Sequence, residues 1–132
     1  MEYTLWERDF ISLFPGDIGQ YIRRKYWSKR LGSCGKNLIM ARNVKIASPD
    51  KLFLGDNVGI GIGAYITASG KVTIGNYVGI GPDAKIWSVN HIYKDPYKPW
   101  MLQGSEVKEV AVGNDVSLDG WAARVDENAS VI

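Results

Sequence analysis

Apolar residues recur every six positions through the middle of the chain, in three units that are each twenty residues long. The units begin at Cys34, Leu54 and Ile74, so their starts differ by 54 − 34 = 20 and by 74 − 54 = 20. Within each unit the apolar positions follow one another at steps of six, six and eight residues. The same positions of the units carry matching residues, including a glycine directly after each start: Gly35, Gly55 and Gly75.

A six-residue step matches neither the turn of an α-helix, about 3.6 residues, nor the two-residue alternation of a simple strand. It suits a chain that winds around three short sides per turn, with one large side chain pointing inward from each side. Successive turns then stack and pair their backbones. The pattern predicts an all-β parallel β-helix with these residues inside: Ile46, Leu54, Ile60, Ile66, Ile74, Ile80 and Ile86. An antiparallel β-sandwich is the alternative, but hairpin dipeptides are nearly absent, Asp119-Gly120 being the exception.

A helix is predicted from Asp17 to Leu31, before the first repeat. Asp17 is its candidate N-cap after Pro15-Gly16, and Gly32 follows as a stop. One face of this helix is apolar (Ile18, Tyr21, Ile22 and Tyr26), and the other is basic (Arg23, Arg24, Lys29 and Arg30). Such a helix could close the open first coil as a lid, or its basic face could contact an acidic membrane. We therefore divide the chain into a lead-in with a capping helix, residues 1–33, and a β-helix, residues 34–132.

The repeat is interrupted after Ile86 and resumes at Val112, which predicts a protruding loop over residues 87–111. Functional residues are concentrated on loops that a rigid scaffold positions. This loop opens with Asn90-His91, and His91 is the single histidine of the chain.

Composition limits the function classes. A net charge of +2 argues against nucleic-acid binding, and one histidine with one cysteine cannot form a structural zinc site, so no metal is expected. The lone Cys34 is typical of a reducing compartment. Acidic residues interrupt the N-terminal stretch where a signal peptide would be apolar, so we expect a cytoplasmic protein.

The hexads, an aliphatic residue, then Gly, Ala, Asp or Glu, two variable positions and a small residue, resemble those of the hexapeptide-repeat acyltransferases. The order of hexads, Asn90-His91, a proline-bearing loop and the return as Val112-Gly113-Asn114-Asp115-Val116 resembles the sugar and xenobiotic O-acetyltransferases of that superfamily. The resemblance covers about Cys34 to Val116. It implies a left-handed parallel β-helix, a homotrimer with its site between adjacent subunits, acetyl-CoA as co-substrate, and a sugar or glycan hydroxyl as acceptor.

The resemblance also implies roles for individual residues. His91 would be the general base that takes the proton of the acceptor hydroxyl, because an alcohol is a weak nucleophile and imidazole titrates near neutral pH. Asn90 would orient that base or bind the acceptor. The aromatic residues Tyr65, Trp87 and Trp100 would stack on a sugar ring, or alternatively bury a subunit contact. The coenzyme would lie along Ser117, Gly120 and Trp121.

Two departures keep other functions open. The chain reads Ser117-Leu118-Asp119 where members of the superfamily usually read Trp-Ile-Gly, and Arg124 occupies an in-frame apolar position. The pattern after Leu118 therefore predicts either a short variant or a missing C-terminal part. The alternatives are transfer to an antibiotic hydroxyl and a truncated, non-catalytic hexapeptide-repeat protein. A γ-class carbonic anhydrase is excluded because it needs three zinc histidines.

Overall fold

The structure is a computed structural model that describes residues 10–118 and 130–131. Its helix α1 spans Gly16–Ser28, and single 3-10 turns span Pro49–Lys51 and Trp100–Leu102. The strands are β1 (Ser33–Cys34), β2 (Ile39–Met40), β3 (Lys45–Ala47), β4 (Leu52–Leu54), β5 (Gly59–Ile60), β6 (Tyr65–Thr67), β7 (Val72–Ile74), β8 (Gly79–Ile80), β9 (Lys85–Trp87), β10 (Val89–His91), β11 (Ser105–Val107), β12 (Val110–Val112), β13 (Ser117–Leu118) and β14 (Ser130–Val131).

Consecutive strands of the repeat join three different sheets in turn, which makes a parallel β-helix. The first sheet has the order β1-β4-β7-β12-β14, the second β2-β5-β8-β13 and the third β3-β6-β9. Every neighbouring pair within these three sheets is parallel. The prediction of a mostly β protein with parallel sheets is confirmed, and the antiparallel sandwich is ruled out for the described residues.

The strand register repeats the twenty-residue period of the sequence. Leu54 pairs with Ile74, and Ile66 pairs with Ile86, a separation of 86 − 66 = 20 in each ladder. Across the interruption Ile74 pairs with Val112, a separation of 112 − 74 = 38. The interruption therefore inserts 38 − 20 = 18 residues without shifting the ladder. The inserted segment leaves the coil and returns to the same place in it.

The inward positions of the hexads form the core. All seven predicted core residues are at most 4% exposed, and the small residues beside them are equally buried: Val58, Ala64, Val78 and Ala84. Removing one such aliphatic side chain from water contributes about 1.5–3 kcal/mol, so the stacked rows are the main stabilising feature. Cys34, predicted to be a core residue, is partly buried against this cluster.

Helix α1 differs from its prediction in its bounds and in its buried face. It ends at Ser28 rather than Leu31, and its N-cap is Pro15 rather than Asp17, without a side-chain hydrogen bond to the cap. The buried residues are Gly19, Arg23, Tyr26 and Trp27. Ile18 and Tyr21, which a lid over the first coil would turn towards that coil, are 70% and 59% exposed.

The polar side of α1 faces inward because of the surface that the helix covers. The helix lies along β2, which is the edge strand of the second sheet; among the described residues, no strand pairs with its outer side. Arg23 Nε donates a hydrogen bond to the Met40 carbonyl oxygen (2.6 Å), and Arg24 Nε donates to the Leu38 carbonyl oxygen (3.0 Å). Gln20 Oε1 accepts from the Met40 N–H (3.1 Å). A sheet edge needs polar partners, so the polar side of the helix packs inward.

Candidate functional site

The interruption is a β-hairpin rather than an irregular loop. Strands β10 and β11 are antiparallel, with His91 opposite Ser105, and the Ile92 N–H donates to the Gly104 carbonyl oxygen (3.0 Å). The hairpin contains fewer residues than the predicted loop over residues 87–111, because Trp87 still belongs to β9 and Val110 already belongs to β12. Asn90 and His91 therefore lie on a strand, which holds them more firmly than a loop tip would.

Ser88 anchors the base of the hairpin. Its side chain is fully buried, and its Oγ accepts a hydrogen bond from the Gly70 N–H (2.9 Å) and donates one to the Thr67 carbonyl oxygen (2.5 Å). The Ser88 carbonyl oxygen accepts from the Lys108 N–H (3.0 Å), so both ends of the hairpin meet here. A Cβ on Gly70 would lie 2.6 Å from the Ser88 carbonyl oxygen. Sequence reasoning missed Ser88, whose only signal is a small polar residue at a corner.

Gln103 holds the tip of the hairpin in one shape. Its Nε2 donates to the Asp95 carbonyl oxygen (2.9 Å) and to the Lys98 carbonyl oxygen (2.7 Å), while its Oε1 accepts from the Asp95 N–H (3.1 Å). Asp95 Oδ1 in turn accepts from the Tyr97 N–H (2.9 Å). These bonds fix the segment that leads into the turn containing Trp100.

The imidazole of His91 is exposed and lies against the ring of Trp100. The two ring centroids are 4.9 Å apart with an interplanar angle of 63°, an edge-to-face arrangement. Within residues 10–118, no group forms a hydrogen bond with the imidazole, and His91 is exposed to solvent. The structure therefore brings two of the predicted site residues, His91 and Trp100, into contact.

Asn90 lies next to His91 but on the other side of the strand. Consecutive side chains of a strand point to opposite faces, so the Asn90 amide does not share a face with the imidazole. Asn90 is half-buried and forms interactions of its own. Its predicted role in binding the acceptor stays a prediction.

Tyr65 and Trp87 form a second aromatic pair, on the outer face of the third sheet. Their ring centroids are 5.2 Å apart and the rings are nearly parallel, at 22°. Tyr65 is in β6 and Trp87 in the adjacent β9, and the pair flanks the inward Ile66 and Ile86 of the same ladder. Three residues separate Trp87 from His91 along the chain, so this pair stands at the foot of the hairpin.

Of the residues predicted to bind the coenzyme, Ser117 is described, whereas Gly120 and Trp121 lie outside the described residues. Ser117 is exposed on β13 and continues a row of outward positions with Gly79, Gly59 and Ile39 on the second sheet. A Cβ on either glycine would meet nothing within 4 Å. Packing does not require these two glycines, and they leave the strand backbone open to a molecule approaching this face.

Cys34 is a poor candidate for a covalent acyl carrier. Burial raises the pKa of its thiol, an effect only partly offset by the positive charge of Arg24, so less of the reactive thiolate is present at neutral pH. In the described residues, no group of three His, Cys, Asp or Glu side chains is placed to hold a metal ion. Over the same residues, no helix has the length and apolar character needed to cross a bilayer.

Comparisons with known proteins give structural neighbours without sequence relatives. No family model matches the sequence, and no curated protein matches it either. The structure is similar to that of AntD, an N-acyltransferase from Bacillus cereus, in complex with dTDP and 3-hydroxybutyryl-CoA. That match has a TM-score of 0.52 and 11% identity, and it covers 83% of this chain and 80% of AntD.

A serine-to-cysteine mutant of AntD, in complex with dTDP-4-amino-4,6-dideoxyglucose and coenzyme A, matches with a TM-score of 0.53 and 11% identity. This second match covers 82% of this chain and 80% of the mutant. AntD belongs to the hexapeptide-repeat superfamily that the hexads resemble, so the predicted resemblance is confirmed for the fold. At this identity the matches show the fold, and the chain therefore shares the fold of AntD.

Proposed function

We propose that the protein is an acyl-CoA-dependent O-acetyltransferase that acts on a hydroxyl of a sugar or glycan, with His91 as general base. The observation that carries the proposal is the exposed imidazole on a hairpin that is anchored at its base by Ser88 and at its tip by Gln103. The fold supports it, because a structural neighbour is an acyltransferase in complex with an acyl-CoA.

In the proposed reaction, an imidazole nitrogen of His91 takes the proton of the acceptor hydroxyl while its oxygen attacks the thioester carbonyl of acetyl-CoA. The tetrahedral intermediate collapses by breaking the carbon–sulfur bond. The coenzyme leaves as a thiolate that recovers the proton from the imidazolium, so the base is regenerated. The proposed transfer is direct, from acetyl-CoA to the acceptor, because the thiol of Cys34 is poorly ionised and therefore a poor acyl carrier.

The acceptor would bind between the hairpin and its foot. Tyr65 and Trp87 present a stacked aromatic surface, and apolar faces of sugar rings pack on such surfaces. Trp100 would contact the acceptor beside His91, and Asn90, on the other face of the strand, would orient the strand that carries the base.

The donor would bind along the second sheet. Ser117 and the open backbone at Gly79 and Gly59 give a smooth face for the pantetheine arm, and Gly120 and Trp121 would extend it. A left-handed coil and a cytoplasmic location are part of the same proposal, the latter because Cys34 is a free thiol.

A homotrimer completes the proposal. The hairpin exposes a set of large apolar side chains that a neighbouring subunit would cover: Tyr93, Tyr97, Trp100, Met101 and Leu102. Cyclic assembly would place each hairpin beside the next coil and form the site between subunits. Light scattering at several protein concentrations is expected to give three times the mass of the chain.

A second candidate is N-acylation of an amino sugar, which the AntD complex with dTDP-4-amino-4,6-dideoxyglucose favours. An amine is a stronger nucleophile than an alcohol, so the need for a general base separates the two reactions. The antibiotic hydroxyl and the non-catalytic protein remain alternatives.

The test begins with titration calorimetry of the protein with coenzyme A, followed by transfer assays on sugar alcohols and amino sugars. His91→Ala is expected to lower the rate of O-acetyl transfer by about a hundredfold or more, as for a lost general base, with unchanged coenzyme affinity. Lys94→Ala, an exposed change on the same hairpin, is the control and should keep activity. Absent coenzyme binding at millimolar concentration would favour the non-catalytic protein, and activity indifferent to His91→Ala would refute the mechanism.

A further inference from the structure

The solvent-facing side of α1 combines apolar and cationic side chains. Ile18 and Tyr21 occupy its N-terminal half and are 70% and 59% exposed. Lys25 and Lys29 continue the same helical face at intervals of three to four residues, and both are exposed. The Lys25 ammonium lies 5.6 Å from the centroid of the Tyr21 ring. Packing among residues 10–118 does not explain an isoleucine and a tyrosine that are exposed beside two lysines.

The opposite side of the same helix fixes its orientation. Arg23, Arg24 and Gln20 bind the backbone of residues 38–40, and Trp27 is 1% exposed. These contacts prevent the helix from rotating to bury its outer residues against the coil. The apolar and cationic stripe therefore lies on the outer surface of the described part of the chain.

Charge is divided unevenly between this end and the rest of the chain. Residues 17–45, which form α1 and the first coil, contain eight Lys and Arg against one acidic residue, Asp17. The remaining residues contain eight Lys and Arg against thirteen Asp and Glu. Six of the eight cations of this segment are exposed: Arg24, Lys25, Lys29, Lys36, Arg42 and Lys45. The small net charge of the whole protein conceals a strongly basic end.

We propose that the exposed face of α1 docks on an anionic lipid surface, with Ile18 and Tyr21 entering the headgroup region and the surrounding cations contacting lipid phosphates. Interfacial helices bind by such a combination of buried apolar area and attraction to anionic lipids. The acidic remainder of the chain is repelled by the same surface, which orients the molecule with its basic end towards the lipid.

Apolar side chains favour lipid over a nucleic acid as the anionic partner. A nucleic-acid backbone binds through charge alone and offers no acyl layer to Ile18. Lipid docking through α1 would hold the first turn of the coil at the surface. The hairpin leaves the coil two turns further along, so it would remain free to reach an acceptor.

The test is co-sedimentation of the full chain with vesicles of phosphatidylcholine alone and of phosphatidylcholine with phosphatidylglycerol. Binding is expected only to the anionic vesicles and should weaken as salt is raised. Lys25→Glu with Lys29→Glu should lower the partition coefficient by at least about twenty-five-fold, since each lost cation accounts for roughly a fivefold change and the added carboxylates are repelled. Ile18→Ser with Tyr21→Ser should lower it as well, and circular dichroism checks that both variants remain folded.

Lys94→Glu with Lys98→Glu is the matched control, because it reverses two exposed charges on the hairpin instead of on α1. This variant should bind anionic vesicles as the parent protein does. Three outcomes would overturn the proposal. The first is equal binding to neutral and anionic vesicles, and the second is loss of binding in the hairpin variant. The third is that the double change of Ile18 and Tyr21 leaves vesicle binding unaltered while the protein binds single-stranded DNA equally strongly. The assay contains neither coenzyme nor acceptor, so its result is independent of the proposed acyl transfer.

Discussion

The coil and the hairpin of this protein are held together by different interactions, although one continues directly into the other. In the coil, inward side chains stack on their equivalents one turn away, as Ile60 does on Ile80, and each position is stabilised by its repeats. The hairpin is instead stabilised by individual polar contacts, because Ser88 at the base and Gln103 at the tip each form hydrogen bonds with several backbone groups. The large side chains of the hairpin point into solvent.

This difference separates stability from function. The ladder keeps its register across 18 inserted residues, so the coil is insensitive to what the hairpin contains. The hairpin in turn can carry exposed chemistry, including His91 and Trp100, without weakening the core. A rigid repeat with one insertion thus permits changes in the hairpin that leave the coil unaltered.

The largest effect is expected from a charge in the coil. Ile80→Asp would place an unpaired carboxylate in a core position that is 3% exposed, with a cost of about 4 kcal/mol or more. The whole coil should unfold, and the hairpin with it, because one turn is unstable without its neighbours. Thermal denaturation followed by circular dichroism measures the change.

The control for that variant is Ile62→Asp. Ile62 is 45% exposed at a corner of the same coil, so its carboxylate would remain hydrated and stability should change by less than about 1 kcal/mol. If both variants melt alike, the stacked rows are not what stabilises the coil, and the distinction between the two regions fails.

The two regions also differ in how far the sequence predicts them. Hexads predicted the coil and its seven core residues, because every turn repeats the same requirement and three copies can be aligned. The hairpin has no internal repeat, so the sequence located its insertion and its histidine but gave neither its strands nor the contacts of Ser88 and Gln103. The pairing of His91 with Trp100 depends on a turn that no local pattern encodes.

The buried face of α1 shows why a correct element can still be placed the wrong way round. Periodicity placed Ile18 and Tyr21 on an apolar face, which a helix acting as a lid would turn towards the coil. The actual neighbour is the edge of β2, where unpaired backbone groups attract Arg23 and Gln20. The requirement to satisfy a sheet edge therefore outweighed the apolar pattern of the helix.

An intermediate effect is expected from two glycines of the coil that look alike in sequence. A Cβ on Gly75 would collide with Asn114 Oδ1 and lie 2.9 Å from the Gly113 carbonyl carbon, so Gly75→Ala should destabilise the protein by about 1–3 kcal/mol. A Cβ on Gly79 would meet nothing within 4 Å, and Gly79→Ala should raise stability by about 0.5 kcal/mol through a lower backbone entropy in the unfolded state. Chemical denaturation of the two variants measures the change in the free energy of unfolding, which should be a loss for Gly75→Ala and a gain for Gly79→Ala. Equal losses would show that the open face of the second sheet is needed for folding rather than for binding.

The smallest effect on stability is expected from Gln103→Ala. This change should also distinguish most clearly between local opening of the hairpin and unfolding of the coil. Gln103 lies at the hairpin tip, outside the stacked rows, so its loss should change the global free energy of unfolding by less than about 0.5 kcal/mol. The same change removes the amide that binds Asp95 and Lys98, so the tip should open locally and move Trp100 away from His91. The rate of hydrogen exchange is expected to rise at the Asp95 N–H, which donates a hydrogen bond to Gln103 Oε1. It should stay unchanged at the Tyr65 N–H, which donates to the Ala84 carbonyl oxygen within the coil. Exchange that rises in both places, together with a clear drop in the melting temperature, would mean that hairpin and coil unfold as a single unit.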